Sequence, residues 1–132
     1  MTKDEHIRYW LQGAGHDLKA AESLFESKKY DWCLFIAHLV LEKAIKAIFA
    51  LKHDKVPPKT HNLVKLAEQS LIELTDERQI FFDEVNDFNL EVRYPDFKHD
   101  FYNSCTKDFT EMYFNKIKEN YQWLKSLIES GK

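Results

Sequence analysis

The sequence predicts an all-α protein, an up-and-down bundle of about five helices making a single domain over residues 1–132. Three observations carry that expectation. Only three glycines and three prolines interrupt the chain, so long stretches run without a helix breaker. Apolar residues recur at alternating spacings of three and four, the period of a helix seam. A capping residue, Thr2, Asp31, Thr60 or Thr75, precedes each of the first four seams. The length suits one core rather than two, and a hydrophobic content of 44% with 14% aromatic residues argues against disorder.

The elements follow in order. Thr2 and Glu5 form a capping box ahead of the first helix, whose seam is Ile7, Leu11, Ala14, Leu18, Ala21 and Phe25, ending near Ser27. Gly13 and Gly15 weaken it locally and permit close approach of another backbone. Asp31 is placed to cap a second helix, with Tyr30 and Phe35 as a hydrophobic staple, reaching to about Lys52. Between Trp32 and Leu51 that helix is apolar almost all round, as expected of a central element. The exceptions align: His38, Glu42 and Lys46 are spaced by four and form one narrow polar line, with Lys43 beside it.

HDKVPPKT reads as a loop, because adjacent prolines cannot continue a helix. Thr60 is placed to cap a short third helix through Leu63, Leu66, Ala67 and Leu71, and Thr75, with Asp76 and Glu77 behind it, opens a fourth. The fourth carries Phe81, Val85, Phe88 and Val92 inward and stops at Arg93-Tyr94-Pro95. A last long helix from about Asn103 to Ser130 buries Phe109, Met112, Ile117, Leu124, Leu127 and Ile128.

Several functional classes are excluded. No apolar run approaches the roughly 18 residues of a membrane span, and MTKDEHIRYW lacks the layout of a signal peptide. A cytoplasmic location is expected. Cys33 and Cys105 have no close cysteine neighbours and are read as reduced core residues. There is no HExxH, no CxxC, no Gly-rich phosphate loop and no G-x-S-x-G elbow, so neither metal nor cofactor is expected.

The net charge of −3 argues against a protein that coats nucleic acid, yet the charge is lopsided. Lys43 to Lys65 holds six lysines against Asp54 alone, whereas Leu66 to Glu91 holds eight acids against Arg78 alone. That layout suits an anion site beside a partner-docking face, although solvated helix faces also produce such runs.

The candidate residues each have two readings. Glu42 and Lys46 are either an exposed i,i+4 pair worth about 0.3 kcal/mol, or enclosed charges that require partners such as Arg93 or a bound anion. His61 with Lys59 stands at the start of the third helix, where free amides and the dipole favour a phosphate. Alternatively it completes the cap and packs on the loop. In RYPDFKH, Arg93 and His99 would point about 120° apart in a continuous helix. A break at Pro95 frees Arg93 to turn toward His99, or away to a carboxylate such as Asp96.

Three landmarks occur in order: EKAIK with Glu42, Lys43 and Lys46; THNL at Thr60 to Leu63; and RYPD at Arg93 to Asp96. In this order and spacing the chain resembles the HEPN domain over most of its length. The resemblance implies a helical bundle that commonly dimerises and associates with nucleotides or RNA. Many members resemble metal-independent ribonucleases and serve as toxins, often paired with a small nucleotidyltransferase antitoxin. Their signature, an arginine followed after four to six residues by a histidine, is met by Arg93 and His99. His99 would then act as general base toward a ribose 2′-hydroxyl and Arg93 would stabilise phosphate charge.

Tyr94 and Pro95 depart from the nuclease pattern, and the RYPD and THNL landmarks look more like the nucleotide-binding branch. The site expected on that basis comprises Arg93, His61, Lys59, Lys43, Lys46 and Glu42. The remaining expectation is an interaction module without a ligand, docking its partner through the acidic fourth helix.

Overall fold

In the computed structural model, the backbone is described for residues 1–93 and 95–131 and the side chains for residues 1–89 and 99–131. The described residues form six helices and no strand: α1 (Lys3–Glu26), α2 (Tyr30–His53), α3 (Leu63–Gln69), α4 (Asp76–Arg93), α5 (Pro95–Ser104) and α6 (Lys107–Gly131). The count is one more than the sequence predicts. Pro95 explains the addition, since a residue without an N–H suits the first position of a helix and opens α5. The predicted final helix therefore begins at Lys107, after Cys105 and the capping Thr106, whose Oγ1 accepts from the Phe109 N–H at 3.2 Å.

Helix α2 is the axis of the bundle, and every other helix packs against it. Its apolar circumference requires this: Leu34, Leu41, Ala44, Ile45 and Ile48 are all enclosed. Helix α1 lies along it through Ile7, Ala14 and Ala21, and α6 through Ile117, Leu124 and Ile128. The α6 seam runs Thr110, Phe114, Ile117, Tyr121, Leu124 and Ile128. Met112, predicted inward, is exposed, because that alternation of four and three leaves it on the outer face.

Several helix ends differ from expectation. The Thr2 capping box forms as predicted, with both reciprocal bonds. Asp31 is not a cap: α2 starts one residue before it from Lys29, which offers no side-chain bond, and Asp31 lies buried in the first turn, where its carboxylate suits the helix dipole. Thr60 does not cap α3 either. Asn62 does, accepting from the Lys65 N–H at 3.1 Å, while Thr60 Oγ1 accepts from the Asn62 N–H and holds that cap in place.

Leu71 lies beyond α3 rather than on it. The Ile72 and Leu71 amides bond back to the Ala67 and Glu68 carbonyls, closing a Schellman turn that puts Leu71 at φ 60° and leaves it 65% exposed. The same turn ends α1. There the Lys29 and Lys28 amides bond to the Leu24 and Phe25 carbonyls, with Lys28 at φ 64°.

Candidate functional site

The polar line predicted on α2 exists and is enclosed. His38, Glu42 and Lys46 are all buried on one face, which turns toward the loop entering α3 and toward α1. Taking charges out of water is costly unless they are paired, and here each has partners. Lys46 Nζ donates to Glu42 Oε2 at 3.0 Å, and its ammonium also lies 5.1 Å from the Trp10 ring of α1. The other oxygen, Glu42 Oε1, accepts from His61 Nδ1 at 2.8 Å. The exposed-stripe reading of Glu42 and Lys46 therefore gives way to the enclosed one.

His61 is held twice from α2. Its ring is bonded by Glu42, and its backbone carbonyl accepts from His38 Nε2 at 2.8 Å. Beyond His61, two asparagines fix the turn into α3. Asn86 Oδ1 on α4 accepts from the Leu63 N–H at 2.8 Å, and Asn86 Nδ2 donates to Asn62 Oδ1 at 3.1 Å. The Leu63 and Lys65 amides, which an anion would otherwise use, are thus taken by side chains. The His61 side chain remains 49% accessible, with no hydrogen bond to Nε2 among the described residues.

Lys43 makes a separate pair. Its Nζ lies 2.7 Å from Asp17 Oδ2 on α1, and its stem passes over Gly13, where a Cβ would stand 3.2 Å from Lys43 Cδ. Gly13 thus admits a lysine stem rather than a backbone. Two of the lysines of α2 are therefore neutralised within the fold, Lys46 by Glu42 and Lys43 by Asp17, whereas Lys52 in its last turn is exposed. Lys59 is exposed and within ion-pair distance of no carboxylate among the described residues.

The structure thus brings Glu42, Lys46 and His61 together and sets Lys43 beside them. His99 is exposed on α5, its Nε2 3.2 Å from Asn103 Nδ2. The side chains of Arg93 and Asp96 lie outside the described residues, and so does any pairing of Arg93 with His99 or His61. Sequence reasoning missed Trp10, Asp17, Asn62 and Asn86. Asp17 was detectable as an acid within the apolar seam of α1, between Ala14 and Ala21. Asn86 carried no local signal, because its role is to satisfy an amide 23 residues away.

The site is thus a buried carboxylate shared between a lysine and a loop histidine, in a helical bundle built on one apolar helix. The sequence profile of the HEPN domain matches residues 7–127, and the chain belongs to the HEPN domain family. Its fold is similar to that of the Thermus thermophilus protein TT1696, a crystal structure with 19% sequence identity and a TM-score of 0.78. The similarity covers 91% of this chain and 96% of that one. No functionally curated protein matches the sequence. Among the described residues, no helix is long and apolar enough to cross a membrane.

Proposed function

We propose that this HEPN domain binds a phosphate-bearing ligand, a nucleotide or an RNA backbone, at the mouth of the α2–α3 junction. His61 and Lys59 face the ligand, and Arg93, which the family resemblance singles out, is the further cation assigned to it. Glu42, Lys46, Lys43 and Asp17 hold the site together rather than touch the phosphate, since their charges are already paired.

The observation that carries this reading is the fixed imidazole. Nδ1 bears the hydrogen that Glu42 accepts, so Nε2 is left accessible; once protonated it donates to a phosphate oxygen. A ring held at one nitrogen by a buried carboxylate and at its backbone by His38 loses little freedom on binding. Docking of a nucleotidyltransferase partner, as in a toxin–antitoxin pair, is supported by the exposed carboxylates of Asp83, Glu84 and Asp87 on α4. Homodimerisation belongs to the same proposal.

Calorimetry with ATP, AMP and a short single-stranded RNA tests the reading. Saturable heats are expected, falling as salt rises, abolished by Arg93→Ala and weakened by His61→Ala and Lys59→Ala. Heats equal to dilution for all three ligands would reject it. Cleavage of the RNA in EDTA, lost in His99→Ala, would replace binding with ribonuclease activity by Arg93 and His99.

A further inference from the structure

A second site lies away from the α2–α3 junction. Helices α1 and α6 both pack on α2, and they leave a cleft of about 800 Å³ between the first half of α1 and the last third of α6. Its apolar lining is Ile7 and Leu11 from α1, Leu51 from α2 and the Tyr121 ring from α6, with Gln12 of α1 as a neutral polar side chain beside them. At one end the backbone of Gly131 presses so closely on Leu51 that a Cβ there would stand 2.8 Å from Leu51 Cδ2, so this wall is bare main chain.

The rim is cationic. Lys3, Arg8 and Lys125 line it against a single acid, Asp4. None of the three cations lies within ion-pair distance of a carboxylate among the described residues. The Lys125 ammonium is held 5.2 Å from the centre of the Tyr121 ring.

Tyr121 supplies the decisive group. The residue is only 4% exposed, yet its hydroxyl makes no hydrogen bond to a described residue, and on the α1 side it faces the bare backbone of Gly15, where a Cβ would stand 3.9 Å away. A tyrosine this enclosed ordinarily finds an acceptor for its O–H. Here the hydroxyl keeps an opening to solvent and no acceptor among the described residues occupies it, so it is a donor available to a ligand in a cleft whose cations also seek a negative group.

We propose that this cleft binds an apolar carboxylate, its hydrocarbon body on Ile7, Leu11 and Leu51 and its carboxylate accepting from the Tyr121 hydroxyl beside Lys125 and Arg8. The volume falls within the range of ligand pockets between helices. A phosphate ester with a large polar body fits less well, because Gln12 is the one side-chain amide in the lining and Ile7, Leu11 and Leu51 offer it no polar partner.

The test is titration of the full chain, labelled with nitrogen-15, with decanoate below its micellar concentration. Saturable amide shifts are expected, confined to the start of α1, the Leu51 turn and the end of α6. Tyr121→Phe, which removes no protein hydrogen bond and so should fold normally, weakens binding by about fivefold, the worth of one hydrogen bond. Arg8→Ala and Lys125→Ala weaken it severalfold, decanol binds less well than decanoate, and Lys116→Ala and His61→Ala leave the affinity unchanged. Non-saturating or dispersed shifts, or equal affinities for the parent, Tyr121→Phe and Arg8→Ala proteins, would overturn the proposal. Because His61 plays no part in this cleft, loss of nucleotide binding and loss of decanoate binding are separable results.

Discussion

The imidazole of His61 donates from Nδ1 to Glu42 Oε1 at 2.8 Å, tying the loop that enters α3 to the central helix by a carboxylate that also binds Lys46. Glu42 therefore holds two elements of the site at once. The Glu42 and Lys46 side chains are 5% and 10% accessible, so removing one leaves the other charged in a poorly solvated place. Glu42→Leu is expected to cost about 3 kcal/mol in urea denaturation, and the double variant Glu42→Leu with Lys46→Met to recover most of it. Equal losses in the single and double variants would mean that the ion pair is not what the fold requires there.

Asn86 should matter for stability out of proportion to its exposure. Its Oδ1 is the acceptor of the Leu63 amide, and Leu63 itself is fully enclosed. Asn86→Ala leaves that amide without a partner, at about 1–2 kcal/mol. Amide exchange at Leu63 should quicken more than exchange in the middle of α2.

The two Schellman turns place a lysine and a leucine where glycine is the usual choice. Lys28 at φ 64° and Leu71 at φ 60° each carry a Cβ in the left-handed region, which costs an L-residue about 1 kcal/mol or more. Lys28→Gly and Leu71→Gly should each raise the urea midpoint, by a gain of about 0.5–1 kcal/mol after the added entropy of the unfolded chain. Lys28→Val should lower it.

Stability should fall on the alkaline side. Burial pushes the Cys33 thiol from 9.0 up to about 12, opposed weakly by the charge of Lys118. Tyr113 is raised by burial and by its hydrogen bond to Glu84, and Tyr121 by burial. Each is an acid that the fold keeps neutral, so its contribution is whole below the unfolded value and drains away as pH climbs through the folded one. For Cys33 that window runs from about 9 to about 12. Melting temperature should decline steadily above pH 9, less steeply in Cys33→Ala, and a thiol reagent at neutral pH should reach Cys33 only after denaturant is added.

The fold class was legible because helical periodicity and capping are local properties. The seam of α1, the apolar circumference of α2 and the polar line of His38, Glu42 and Lys46 all follow from spacing within one helix. The Thr2 capping box, complete within four residues, was readable for the same reason. The Schellman turns escaped because the sequence places Lys28 and Leu71 where the usual glycine would have marked them.

What the sequence alone determined about this protein is an all-α bundle around α2 and the residue types its polar line would carry. Tertiary structure decided which partners those residues take: Glu42 with His61 and Lys46, Lys43 with Asp17, Leu63 with Asn86. The physical reason is that pairing across helices depends on how the helices lie together, while a helix's own face depends only on its 3.6-residue turn. The same packing opened the cleft at Tyr121, whose hydroxyl no local pattern could show to lack an acceptor.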